Sequence, residues 1–149
     1  MRRFVILMAT WWGTGYSPLA SGTVGTLAAI PLYLVLARLP LPLYILTLVP
    51  FFFFSCWVAG VAEEIFAEKD SGKIVIDEVV GYLVTMTGAP FSWRAVILGF
   101  FLFRFFDVVK VSPANIIDRR LKNGWGVVLD DVVAGMYACV VVHLLLRFL

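Results

Sequence analysis

The ten acidic residues of this 149-residue chain are unevenly placed. Six lie between positions 63 and 78 (Glu63, Glu64, Glu68, Asp70, Asp77, Glu78), and four between 107 and 131 (Asp107, Asp118, Asp130, Asp131). Two adjacent pairs invite chemistry. Asp77-Glu78 leads into Val79-Val80-Gly81, and Asp130-Asp131 leads into Val132-Val133-Ala134-Gly135. Each pair is read as opening an apolar helix, with a glycine about one turn later. Capping of a helix N-terminus accounts for one acid in each case, because the helix dipole favours negative charge there. It leaves the second acid unexplained. Two pairs, each backed by a glycine that lets helices approach closely, suit a shared oxygen-rich site for a hard divalent cation such as Mg²⁺. Without a cation, converging carboxylates in a low dielectric would repel one another and take up protons.

Arg104, Asp107 and Lys110 share one helical face at i, i+3 and i+6. They read either as an ion-pair ladder at a helix end or as cationic contacts for an anionic substrate, with Asp107 joining the metal. Ionisable residues at membrane depth favour the second reading. The segment Gly13-Thr14-Gly15-Tyr16-Ser17-Pro18, followed by Gly22-Thr23-Val24-Gly25-Thr26, is rich in small and hydroxyl residues. It reads as a plain loop or as an anion site at a helix N-terminus, with Thr23 and Thr26 near the phosphate. A second glycine turn, Asn123-Gly124-Trp125-Gly126, precedes the second acid pair. Cys56 and Cys139 lie in apolar stretches without metal or redox spacing and read as structural. His143 falls about 18 Å along a helix from Asp131, too far to take part in chemistry there.

The elements that must position these groups belong to a membrane protein. Hydrophobic residues make up 62% of the chain and charged residues 15%, against about 45–50% and about 25% for soluble domains; mean hydropathy is +0.96. The net charge of +2 does not argue for nucleic acid. Apolar segments at Leu43–Ala62 and Val132–Leu149 approach the roughly 20 residues a span needs. Val24–Leu39 is shorter and holds Pro31. Val79–Ala89 and Ala95–Phe106 are shorter still, either recruiting flanking residues or forming a hairpin inside a bundle. Ile74–Ile76 and Val79–Val80 are β-branched, but a sheet edge in lipid would strand backbone polar groups. The expectation is one all-α domain over residues 1–149, a polytopic integral membrane bundle of about five membrane-embedded helices, some of them short. Basic residues orient it. Arg2 and Arg3 favour a cytoplasmic N-terminus. The two acid-bearing loops, with Lys69, Lys73, Lys110, Arg119, Arg120 and Lys122, then fall on the cytoplasmic side. The opposite loops hold only Arg38 and Arg94.

Four stretches together resemble the phosphatidylglycerophosphatase A family. They are Gly15-Tyr16-Ser17-Pro18 with Gly22-Thr23-Val24-Gly25-Thr26; Ile74-Val75-Ile76-Asp77-Glu78-Val79-Val80-Gly81; Phe103-Arg104-Phe105-Phe106-Asp107-Val108-Val109-Lys110; and Gly124-Trp125-Gly126-Val127-Val128-Leu129-Asp130-Asp131 with Ala134-Gly135. They occur in the family's order over nearly the whole chain. The chain departs from the usual pattern at Ser21, at Val111 and at Asn123. The resemblance implies a Mg²⁺-dependent phosphatase of the bacterial cytoplasmic (inner) membrane, its active site facing the cytoplasm. Its substrate would be the membrane lipid phosphatidylglycerophosphate, converted to phosphatidylglycerol and inorganic phosphate.

Residues and resemblance combine into a metal-assisted hydrolysis. Asp77, Glu78, Asp130 and Asp131, with Asp107, would ligate the metal and form the catalytic set. Arg104, Lys110, Thr23 and Thr26 would bind the substrate phosphate. No C-x5-R loop or D-x-D-x-[TV] stretch supports a covalent route of those types. A cation-coupled transporter or channel component is the alternative, since buried acids also mark ion paths. The gathering of the acids at one predicted membrane face weighs against it.

Overall fold

The computed structural model describes residues 1–149 and is entirely helical. Seven α-helices follow in order: α1 (Arg2–Ala9), α2 (Ser21–Leu36), α3 (Leu41–Phe66), α4 (Ile76–Thr85), α5 (Trp93–Val109), α6 (Ala114–Arg120) and α7 (Gly124–Leu146), with a single 3-10 turn at Thr14–Tyr16. The β-branched stretch around residue 75 forms no strand. A helix satisfies its backbone internally, which an unpaired strand here would not.

Two helices, α3 and α7, are long and apolar enough to cross a membrane. The other three expected segments are helical but short. The ten residues of α4 rise only about 15 Å, half of a hydrocarbon core. Eight of those ten residues are buried, so α4 is the centre of the bundle and not a lipid-facing element. It packs most extensively on α7, and also on α2 and α3. Outward-facing apolar side chains lie on the outer helices, including Leu46, Phe53, Phe101 and Val140. α1 and α6 were not anticipated, because each is too short to show as an apolar segment.

Close backbone approach makes this packing possible. A Cβ added to Gly135 would collide with the carbonyl oxygen of Gly81, and one added to Gly81 would strike the Phe103 ring. α7 and α3 meet likewise at Gly124 and Gly60. Buried tyrosines tie the core helices: Tyr44 Oη donates to Leu83 O at 2.6 Å and Tyr82 Oη to Val96 O at 3.1 Å. Each bond satisfies a hydroxyl that would otherwise be stranded in an apolar interior.

The start of α7 corrects the sequence reading. Asp130 and Asp131 were expected to open an apolar helix. Instead α7 begins at Gly124, where Asn123 Oδ1 accepts from Gly126 N at 3.1 Å and caps it. The acid pair therefore lies about two turns inside the helix. Asp77 and Glu78 occupy the first turn of α4, where the helix dipole favours negative charge, whereas Asp130 and Asp131 lie beyond that influence on α7.

Gly135→Val tests the crossing. Forcing a branched side chain against the α4 backbone should destabilise the fold by at least about 1–3 kcal/mol. Thermal unfolding in detergent measures this, and an unchanged melting temperature would contradict the contact.

Candidate active site

Asp77 and Glu78 stand at the start of α4, and a bed of close contacts fixes their direction. Val75 N donates to Ala9 O at 2.8 Å, and Ser21 Oγ donates to Gly72 O at 2.7 Å. A Cβ on Gly15 would strike the carbonyl of Lys73, and one on Gly25 would strike the Val75 side chain. The glycines of the N-terminal segment therefore serve mainly to seat residues 72–75, immediately ahead of the acids. Two departures from the family pattern are absorbed locally: Ser21 supplies one of these hydrogen bonds and Asn123 caps α7.

Across the α4–α7 crossing, Asp131 completes a three-carboxylate group. Ligand oxygens of Asp77, Glu78 and Asp131 all lie within 4.8 Å of one another. Asp77 and Asp131 are 8% and 4% exposed. Asp77 Oδ1, Glu78 Oε2 and Asp131 Oδ2 are buried with no hydrogen-bond partner. Burial first, then the charge of Glu78, holds Asp77 well above the ordinary carboxylate range, and burial raises Glu78 as well. Three carboxylates this close are unfavourable alone, and a hard cation would resolve the repulsion. The donor set is all oxygen and fits Mg²⁺, Mn²⁺ or Ca²⁺ better than a soft metal.

The structure separates the members of the second acid pair. While Asp131 faces the cluster, Asp130 Oδ2 accepts from Lys110 Nζ at 2.9 Å, and Lys110 also donates to Asp118 Oδ1 at 2.7 Å. Burial alone would lower the Lys110 pKa, but the two carboxylates outweigh it and hold the pKa above the usual lysine value. The ammonium is thus engaged by protein groups. The sequence predicted Lys110 as a phosphate contact and did not single out its partner Asp118.

Arg104 projects from α5 beside the cluster. Its Nη1 donates to Asp107 Oδ2 and stands 4.0 Å from Glu78 Oε1, beyond hydrogen-bond reach. Its Nε is buried and has no partner. Asp107 therefore orients Arg104, one turn away on the same helix. Thr26 is buried and its hydroxyl donates to Gly22 O at 2.8 Å, an internal helix contact that turns it from the site. Thr23 is half-buried in the first turn of α2, and its hydroxyl makes no hydrogen bond. Sequence reading assigned no distinct role to Gly22, where an added Cβ would meet Glu78 and Arg104. His143 lies well away from the acids, its Nδ1 2.8 Å from Cys139 O.

The acid groups from both halves of the chain meet at one end of the bundle. Besides the cluster, that end carries a groove of about 510 Å³ lined by Glu63, Lys69, Asp70, Asp118, Arg119 and Lys122 among others.

The family model described as phosphatidylglycerophosphatase A matches residues 7–146. A phosphatidylglycerophosphatase A of Haemophilus influenzae is 35% identical over 138 residues, covering 91% of this chain and 85% of the relative. One of Escherichia coli is 33% identical over 138 residues, covering 92% and 80%. A Bacteroides thetaiotaomicron protein, provisionally named a phosphatidylinositol-3-phosphatase, is 37% identical over 145 residues, covering 92% and 90%. No solved structure matches the chain.

Lys110→Met should destabilise the fold by about 1–3 kcal/mol. The cost stays below the roughly 3–5 kcal/mol of a fully buried pair because the lysine side chain is 34% exposed. Asp130→Asn in the same chain should recover part of the loss, and independent effects in a double-mutant cycle would refute the pairing.

Proposed function

The chain belongs to the phosphatidylglycerophosphatase A family, and from that premise we propose that it hydrolyses the terminal phosphomonoester of phosphatidylglycerophosphate. The products are phosphatidylglycerol and inorganic phosphate, within bacterial glycerophospholipid synthesis. The observation that carries the reading is the three-carboxylate cluster, with its unpartnered buried oxygens, set beside an arginine that keeps a free donor.

Asp77, Glu78 and Asp131 would hold Mg²⁺, with Asp107 and Asp130 as the further acids of the site. When bound, the ion supplies a Lewis acid that polarises the phosphoryl group. The remaining work falls to the chain. Asp107 fixes the guanidinium of Arg104, which faces the transferred group and stabilises the charge that develops on its oxygens. Lys110 neutralises Asp130 and holds it to Asp118, so its part is to position the second acid pair. The first-turn amides of α2 and the Thr23 hydroxyl supply further donors for phosphate or headgroup. Thr26 supports that turn from within.

The whole chain acts as one membrane-embedded domain. α3 and α7 span the bilayer, and α2, α4 and α5 are embedded between them in a five-helix arrangement. Their apolar outer faces leave the acyl chains in lipid. The acid end faces the cytoplasm, since Lys69, Arg119 and Lys122 line the groove there and the basic residues of the chain bias the acid-bearing loops to that side. The enzyme therefore resides in the bacterial cytoplasmic membrane. A transport role is disfavoured, because the carboxylates cluster at one end and do not line the depth of the bundle.

Purified protein should release phosphate from phosphatidylglycerophosphate with Mg²⁺ and lose that activity in excess chelator; undiminished release in chelator would sink the metal assignment. Asp77→Asn and Asp131→Asn should each lower kcat by roughly 100-fold or more, the scale of removing one group that stabilises developing charge. Faster turnover of phosphatidylinositol 3-phosphate under the same conditions would reassign the substrate.

A further inference from the structure

Gly22 lacks a side chain at a point where one would disturb the site and leave the fold intact. It lies in the first turn of α2 and carries no left-handed φ, so conformational freedom is not its purpose. A Cβ there would collide with Glu78 Oε1 and stand 3.0 Å from Arg104 Nη1 and 3.2 Å from Arg104 Nη2. Those atoms are the ends of flexible side chains. Gly135 and Gly124 differ, since a Cβ on either would meet backbone of a neighbouring helix. A helix also favours alanine over glycine, so local stability does not explain the choice.

We propose that Gly22 is a positioning residue of the active site: its missing side chain keeps open the gap in which Glu78 and Arg104 face each other without joining. Opposite charges in a low-dielectric site attract strongly, and a direct pair would consume both groups. Here Arg104 is held by Asp107, and Glu78 Oε1 stays 4.0 Å from Arg104 Nη1. Glu78 is thereby left to a cation with Asp77 and Asp131, and Arg104 to a phosphoryl oxygen. A methyl group at position 22 would wedge into this gap. It would displace the Glu78 carboxylate from a ligand set confined within 4.8 Å and rotate the guanidinium away from its orienting partner. The α2 backbone would be untouched, and the bond from Thr26 Oγ1 to Gly22 O would remain.

The inference rests on the lipid-phosphatase reading and has its own readouts. Full-length Gly22→Ala in detergent should melt at or above the wild-type temperature. Its Mn²⁺ affinity, titrated by electron paramagnetic resonance, should fall by about tenfold or more, the scale seen when metal ligands lose their orientation. Its kcat on phosphatidylglycerophosphate at saturating Mg²⁺ should fall by at least about tenfold, an effect beyond weakened metal binding that follows from a misdirected Arg104. Gly60→Ala, whose Cβ would meet nothing closer than Gly124 Cα at 3.9 Å, should likewise melt at or above the wild-type temperature and leave Mn²⁺ affinity and kcat unchanged. Wild-type Mn²⁺ affinity and kcat in Gly22→Ala would overturn the proposal. So would a lowered melting temperature with a matching loss of folded protein, which would make Gly22 a packing residue. If the wild-type protein released no phosphate from this lipid, the functional reading would fall, while the Mn²⁺ titration would still decide the role of Gly22.

Discussion

Where α4 crosses α7, the carbonyl oxygen of Gly81 occupies the space that a side chain on residue 135 would need. Everything polar at the acid end depends on that approach. Asp77 and Glu78 lie about one turn before Gly81 on α4, and Asp131 lies one turn before Gly135 on α7. Since side chains three and four residues apart share a helix face, joining the glycines sets the acids side by side. A bulkier pair at the crossing would part the helices by ångströms and open a cluster whose oxygens now lie within 4.8 Å.

That arrangement is unfavourable by itself, and the surrounding residues show how the chain manages it. Asp77 and Glu78 have the N-terminus of α4 beneath them. Asp130 is neutralised by Lys110, and Asp107 by Arg104. Among the acids of the site, Asp77, Glu78 and Asp131 each keep a buried oxygen without a hydrogen-bond partner, and Glu78 meets Arg104 only at 4.0 Å. The unpartnered oxygens thus belong to the three groups best placed to hold a cation. A cluster serving only the fold would gain from satisfying these atoms too, because stranded buried polar groups cost free energy.

The N-terminal segment has a different part from the one its composition suggests. Glycine and hydroxyl residues ahead of a helix read naturally as an anion loop. In the folded chain most of them pack: Gly15 against the Lys73 backbone, Gly25 against Val75, and Thr26 back onto Gly22. Only the first turn of α2 reaches the site. These contacts hold residues 72–75, and through them the direction in which α4 leaves with its two acids.

The sequence alone determined the helical class of the fold and pointed to the residues of its candidate site. A chain this apolar, with long apolar runs in place of alternating strands, satisfies its backbone as helices, and ten acids confined to two short intervals point to a shared site. Asp77, Glu78, Asp131, Arg104 and Asp107 stand out there as candidates, because charge amid apolar residues is conspicuous in one dimension. Tertiary structure decided which acids converge. Asp130 and Asp131 are adjacent, so their side chains diverge by about 100° around α7, and only packing shows that one meets Lys110 and the other meets α4. It also decided that α4 is a short central helix, that α7 starts two turns before its acids, and that Gly22 faces Glu78 and Arg104. An absent side chain leaves no mark in a sequence, and what it makes room for exists only once distant segments have packed.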